Sequence, residues 1–300
     1  MTELKLIVKR NIKLFFKDKG SFLPSLITPV ILLVLYISFL RNVYMDSFAL
    51  SLGEAAESVE NILSGLVGGQ LMSSILAVCC ITVPVCSNMI CVQDKANGTI
   101  LDLKMSPVKA SALSLGYYLS TLFSSLLICF TGMGVCLVYV FITGWYMTFS
   151  DVLFLCLDVF LLVTFGTALS SIIGHFLSSG GQIAAVGTII SSGYGFICGA
   201  YMPISQFSPL LKKIISVLPG TFGTSLVRNH SMQGALNELE KAGIPKEAVE
   251  EIKNAVDCNL YFLGNKVSVS CMYAVVLFAT LVLISLYVAK IGRASCRERV

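Results

Sequence analysis

Few residues in this chain of 300 could do chemistry, and they lie far apart in the sequence. Asp158 interrupts a long apolar run, and His175 and His230 are the two histidines. His230 has no neighbour at the spacing of a metal site. The motifs GxxxxGK[ST], HExxH and GxSxG do not occur, so these residues offer neither a P-loop for ATP nor common hydrolase chemistry. We therefore expect no catalytic residue, and no metal, cofactor or nucleic acid as a ligand.

Long stretches without a charged residue make up most of the sequence around these residues. The chain is 56% hydrophobic and 13% charged, and a bilayer is crossed by about 20 apolar residues. Uncharged runs of at least that length cover residues 20–40, 61–93, 110–150, 159–211 and 267–289. Because lipid cannot satisfy free backbone polar groups, the runs must be helical. The sequence predicts an all-α, polytopic membrane protein.

These runs predict six transmembrane helices. The expected spans are residues 22–40, 62–92, 115–142, 152–177, 183–202 and 267–289. Lysine and arginine are concentrated at both termini and between the second and third spans, which places those three parts in the cytoplasm. Residues 203–266 then form an extracellular loop, with two short amphipathic helices predicted between Gly234 and Phe262.

An ionised carboxylate at the centre of a bilayer costs about 3 kcal/mol, so Asp158 admits two interpretations. It is either a proton or substrate site, or a shallow group that bonds a neighbouring helix. Asp151, on the same helix face, favours the second interpretation. For His175, near the end of the fourth span, we expect an interfacial hydrogen bond.

The two termini lie outside the predicted spans. Residues 1–19 predict an interfacial helix with a basic and an apolar stripe, made by Lys5, Lys9, Lys13 and Lys17 and by Leu4, Val8, Ile12 and Phe15. Such a helix lies at the inner membrane surface with its lysines towards anionic headgroups; the alternative is a simple positive-inside anchor. Residues 291–300 form a tail that is either native or an addition.

One short polar segment, residues 94–111, separates the second and third spans. Thr99 and Asp102 fit a helix-capping pattern. The apolar side of the helix is formed by Ile100, Leu101, Leu103 and Met105. Ser106 and Pro107 end this helix and suit the first positions of the next one. The segment lacks the composition of a flexible tether, so we expect it to transmit displacement. An ordinary helical loop is the alternative.

Two stretches resemble the ABC-2 type transporter permeases. The first, residues 94–120, reads DKANGTILDLKMSPVKASALSLGYYLS, with Gly-Thr, a short leucine-rich helix and Ser-Pro before the next span. The second, residues 199–229, reads GAYMPISQFSPLLKKIISVLPGTFGTSLVRN, with three regularly spaced prolines and an arginine. The basic amphipathic N-terminus and the six spans agree, and the resemblance covers residues 1–290 as one transmembrane domain.

This resemblance implies the membrane half of an ATP-driven exporter in the plasma membrane of a bacterial cell. Two permeases, identical or different, pair with cytoplasmic ATPase subunits on separate chains. The ATPase-coupling residues implied are Thr99, Ile100, Leu101, Asp102, Leu103, Ser106 and Pro107. Re-entrant helices after the fifth span would close the path, with gate residues Pro203, Pro209, Pro219 and Arg228. Two alternatives stay open, a proton-coupled secondary transporter that uses Asp158 and a non-transporting membrane scaffold; the substrate also stays open.

Overall fold

The computed structural model describes residues 2–106, 108–262 and 264–297. Their architecture is all-α, with one small hairpin. The helices are α1 Thr2–Lys17, α2 Lys19–Leu35, α3 Arg41–Leu52, α4 Glu60–Ala96, α5 Thr99–Met105, α6 Ala110–Thr143, α7 Phe149–Phe176, α8 Gly180–Ile197, α9 Pro209–Ile215, α10 Pro219–Lys241, α11 Lys246–Ala255 and α12 Val269–Arg297. Strands β1 (Tyr261–Phe262) and β2 (Asn265–Lys266) pair antiparallel.

Helix α4 is the centre of the bundle and packs against α2, α6, α7, α8 and α10. The most apolar stretch of Ala55–Ala96 is 89% buried, whereas that of Lys19–Leu52 is 18% buried. Glycines in α4 let the neighbouring helices approach it closely. A Cβ atom at Gly69 would lie 2.6 Å from the Ser231 carbonyl oxygen of α10. Helix α4 is therefore the helix that the others surround.

Five helices in the described residues are long and apolar enough to cross a membrane: Lys19–Leu52, Ala55–Ala96, Ala110–Thr143, Phe149–Phe176 and Val269–Lys290. The predicted fifth span is a shorter helix, α8, and does not meet the same test. Its predicted end at Met202 is wrong, because the helix stops at Ile197 and Gly199 adopts a left-handed φ of 74°. That conformation favours glycine and turns the chain out of the helix.

Two other predicted helix ends are also wrong. The first span does not end at Leu40, because a π-helical turn, Tyr36–Leu40, carries the helix on into α3 as far as Leu52. Helix α12 likewise continues through the predicted tail to Arg297. No glycine or proline follows Leu40 before Gly53, and the single Gly292 does not stop α12. The apolar character of both segments therefore ends before their helical conformation does.

The segment 203–266 folds into helices rather than an open loop. Helices α9 and α10 meet at 84°, and Pro209 and Pro219 occupy the first turns of these two helices. Helix α10 runs unbroken to Lys241, so the separate helix predicted from Gly234 is wrong. The second predicted amphipathic helix is present as α11. The two extremities of the bundle are hereafter the α5 end, with α1 and α5, and the α11 end, with α11 and the hairpin.

Candidate coupling site and cleft

Helix α5 begins at the predicted residue but by a different mechanism. Gly98 occupies the cap position with a left-handed φ of 79°, and among the described residues no side chain caps the helix. The predicted capping by Thr99 is therefore wrong, since Thr99 is already the first helical residue. Glycine makes the sharp entry at no steric cost, which leaves Thr99 half-buried and Asp102 exposed on the first turn.

The apolar residues of α5 divide between two faces. Ile100 and Leu103 are half-buried and pack on the core of the bundle. Leu101 is 63% exposed and Met105 is 89% exposed. A helix of this length holds its position through the inward pair, while the outward pair forms a small apolar surface at the α5 end.

The connection from α5 to α6 also differs from the prediction. Ser106 does not cap the next helix; it ends α5, and its hydroxyl donates to the Leu103 carbonyl at 2.5 Å. Helix α6 begins at Ala110 after Lys109. Pro107 lies outside the described residues. The hydroxyl of Ser106 satisfies one of the free carbonyls that every helix end leaves.

A cluster of three side chains ties α1 to the end of α4 and to α6. The Arg10 guanidinium donates to both carboxylate oxygens of Asp94, at 2.8 and 3.2 Å. Tyr117 of α6 donates to the same carboxylate at 2.5 Å. The hydrogen bond to Asp94 raises the pKa of Arg10 above its usual value. Two-pronged pairs of this kind fix orientation as well as distance, so α1 is positioned relative to the helix that leads into α5.

Sequence reasoning missed this cluster, although two signals were present. Arg10 lies off the four-residue spacing of the lysine stripe, and Asp94 is the first charged residue after a long uncharged run. The predicted apolar stripe was also shifted. The buried face of α1 is formed by Ile7, Asn11 and Phe15.

A cleft of about 1050 Å³ opens between α2, α4 and α8. Its wall is largely apolar, with Met89, Phe196 and Tyr201 among its residues, and small residues such as Gly187 and Ser191 on α8. Tyr36 also lines the cleft, at the start of the π-helical turn, and its hydroxyl donates to the Ala200 carbonyl at 3.2 Å. Pockets of this size and polarity suit apolar or amphipathic molecules.

The predicted gate residues fall at the α11 end. Pro203 precedes a short 3₁₀ turn, Ile204–Gln206, while Pro209 and Pro219 begin α9 and α10. Arg228 is 1% exposed. Its guanidinium donates to the Gly199 and Val256 carbonyls, both at 2.7 Å, and lies 3.4 Å from the Asp257 carboxylate. Arg228 therefore joins the end of α8 to the end of α11, away from the lining of the cleft.

Asp158 lies at a helix junction. Its carboxylate contacts His230 Nδ1 of α10 at 2.6 Å and accepts a hydrogen bond from Tyr273 of α12 at 2.5 Å. The residue is 1% exposed, so its carboxylate is covered by the neighbouring helices; Asp151 completes a capping box with Thr148 at the start of the same helix. The expected bond to a neighbouring helix is confirmed twice. Sequence reasoning missed the pairing with His230 because it placed that histidine in a loop.

His175 lies in the last turn of α7, close to its predicted position. Its ring is 5.7 Å from the ring of Phe176, and its carbonyl accepts a bond from Lys95 at 3.3 Å. The histidine is exposed, which agrees with a place near the end of a span.

The long apolar helices around a buried α4 define the class: this is an all-α polytopic membrane protein. The family model described as ABC-2 type transporter matches residues 2–230. The chain belongs to the ABC-2 type transporter family and is a permease of that type, in agreement with the resemblance seen in the sequence. No curated protein matches the chain.

Proposed function

We propose that this permease forms the translocation path of an exporter and is driven by an ATPase on a separate chain that binds at α5. The observation that carries the proposal is the outward apolar pair, Leu101 and Met105, on a helix held from behind by Ile100 and Leu103. An exposed apolar surface on an anchored helix is typical of a protein contact. The Arg10–Asp94 pair holds α1 against the end of α4 that leads into α5. The proposal requires both termini and α5 to lie in the cytoplasm, as the distribution of lysine and arginine predicts.

The test separates the docking residues from the packing residues of α5. The double variant Leu101→Glu, Met105→Glu is co-expressed with a P-loop ATPase that co-purifies with the unmodified permease. Charge in an apolar contact opposes association, so we expect at least about tenfold less co-purified ATPase and the loss of ATP-driven export. Leu50→Glu, an equally exposed leucine at the far end of the bundle, is the matched control. An inserted double variant that binds the ATPase normally would refute the coupling role.

We further propose that two permeases associate across the cleft. Helix α2 is largely exposed, and the face of α8 beside the cleft is rich in small residues, which favour close helix contact in membranes. A second protomer would cover these faces and convert the open cleft into an enclosed path for an apolar or amphipathic substrate.

Cysteine cross-linking tests this association. Ile189 on α8 is 68% exposed and Val138 on α6 is 60% exposed. We expect Ile189→Cys to give a cross-linked dimer in native membranes under mild oxidation, while Val138→Cys stays at the background of the unmodified chain. Cross-linking of Val138→Cys alone would place the contact on the wrong face.

The proton-coupled alternative has less support. Both carboxylate oxygens of Asp158 are occupied by His230 and Tyr273, and Asp158 is absent from the described lining of the cleft. These contacts favour a junction between helices over a site that a substrate or a proton must reach. Among the described residues, no contact specifically supports the alternative of a non-transporting scaffold.

A further inference from the structure

A second cavity lies at the α5 end, separate from the cleft. Its volume is about 330 Å³, and α4, α5, α6, α7 and α12 surround it. Lys95, His175 and Lys290 are part of its wall, and its described lining contains no aspartate or glutamate. Three groups that can carry positive charge therefore share one small volume.

The two ammonium groups are held beside the last turn of α7. Lys95 Nζ donates to the Gly174 carbonyl at 2.7 Å and to the His175 carbonyl at 3.3 Å. Lys290 Nζ lies 3.6 Å from the centre of the Phe176 ring. Neither lysine pairs with a carboxylate among the described residues. Helix carbonyls and an aromatic face offset only part of two full charges.

The neighbouring carboxylate does not compensate them either. Asp94 adjoins Lys95 in the sequence, but its two oxygens accept bonds from Arg10 and Tyr117. The positive charge of the cavity is thus left for a ligand to balance, because unpaired charge in a partly buried site is unfavourable.

A buried hydroxyl points to the same conclusion. Ser171 lines the cavity and is 5% exposed, and its hydroxyl has no hydrogen-bond partner among the described residues. By contrast, the hydroxyl of Tyr287, in the same wall, donates to the Ser114 carbonyl at 3.0 Å. Ser171 is one of several described residues with an unpaired buried polar atom, and because it lines this cavity its hydroxyl is available to bind a ligand oxygen.

We propose that this cavity binds a phosphate group, carried by an anionic phospholipid headgroup or by a soluble phosphate. A phosphate oxygen accepts hydrogen bonds from ammonium groups and from a hydroxyl, and such charge-assisted bonds are the strong ones. The cavity is distinct from the cleft, and it borders α5 only through the inward-facing Ile100, not through Leu101 or Met105. Failure of the phosphate proposal would therefore leave the transport proposal intact.

The experiment follows thermal unfolding of the purified full chain in neutral detergent. Phosphatidylglycerol, phosphatidylcholine and inorganic phosphate are titrated separately. A ligand that binds the folded state raises the unfolding temperature, so we expect phosphatidylglycerol to stabilise and phosphatidylcholine to have no effect. Stabilisation by inorganic phosphate as well would identify a site that accepts soluble phosphate, whereas stabilisation by the anionic lipid alone would identify a headgroup site; either result supports the proposal.

Two variants locate the binding. Lys290→Gln should weaken binding of the anionic lipid about tenfold, the loss of one charge-assisted bond. Ser171→Ala should weaken it less while preserving the fold, because the hydroxyl it removes is unpaired. Lys9→Gln and Lys109→Gln, exposed lysines outside the cavity, are the controls. The proposal is overturned if no probe stabilises the protein. It is also overturned if Lys9→Gln abolishes the lipid effect while Lys290→Gln and Ser171→Ala leave it unchanged.

Discussion

An arginine–aspartate pair stands at each end of the bundle, and the two pairs are built differently. At the α5 end, the side chains of Arg10 and Asp94 are 31% and 11% exposed. At the α11 end, those of Arg228 and Asp257 are 1% and 8% exposed. The first pair joins a peripheral helix to the bundle through two side chains. The second pair is embedded among backbone carbonyls, where the guanidinium also donates to Gly199 and Val256.

The difference in exposure means that the Arg10–Asp94 pair can be broken at lower cost than the Arg228–Asp257 pair. Water can replace the partners of Arg10 when α1 moves, since the pair is already partly solvated, and exposed pairs contribute little to stability. Arg228 has no such replacement, because breaking a buried pair leaves an uncompensated charge. The α5 end therefore suits the proposed ATPase contact better than the α11 end, where buried carbonyls hold the arginine.

The largest effect is expected at Arg228. Arg228→Met removes the donors to two carbonyls and leaves Asp257 with one fewer partner, so we expect a loss of about 3–5 kcal/mol in the free energy of unfolding. Thermal unfolding in detergent measures it, with Lys241→Gln, half of an exposed ion pair, as the control. Equal unfolding temperatures for Arg228→Met and Lys241→Gln would erase the proposed contrast between the two ends.

An intermediate effect is expected at Asp158. Asp158→Asn keeps the shape of the side chain but removes the charge that binds His230 and Tyr273, so we expect a loss of about 1–3 kcal/mol in stability. ATP-driven export should persist in the protein that remains folded. Asp46→Asn, an exposed acid, is the control. If Asp158→Asn abolished export without lowering the unfolding temperature, the proton-coupled alternative would gain support over the junction role.

The smallest effect on stability is expected at Arg10 and Asp94. Arg10→Gln should cost about 1 kcal/mol, because the Arg10 side chain is already 31% exposed and Asp94 keeps its hydrogen bond from Tyr117. Its effect on export should be larger than its effect on unfolding, since the pair positions α1 beside α5. A double-mutant cycle with Asp94→Asn gives the coupling energy of the two side chains. Stability and export that fall in proportion would indicate a purely structural pair.

Much of the fold could be predicted because a bilayer restricts the backbone structures that can cross it. The all-α membrane character follows from the uncharged runs, and α5 could be placed by the glycine and serine at its two ends. The central position of α4 could not be predicted, because longer uncharged runs cover residues 110–150 and 159–211. The capping of α5 could not be predicted correctly, since Thr99 and Gly98 both suit a helix start. Glycine adopts the left-handed φ found there at no steric cost, whereas the β-branched Thr99 would be strained in it.

The candidate site was predicted only in part. Helix α5 was identified as a unit, but its apolar residues were assigned to one face, whereas Ile100 and Leu103 point inward and Leu101 and Met105 outward. Periodicity in so short a helix cannot say which side is covered. Pro209 and Pro219 begin helices as expected. The carbonyls that bind Arg228, those of Gly199 and Val256, could not be predicted from spacing in the sequence.

By itself the sequence determined the all-α membrane character, the family and the place of the short helix between two spans, because hydropathy and turn residues act locally. Only the tertiary structure decided the partners of the charged residues. Asp158 meets His230, and Arg10 meets Asp94, across 72 and 84 positions of the chain. Burying a charge is favourable only when a distant helix supplies its counterpart, and which helix does so depends on the packing of the whole bundle around α4.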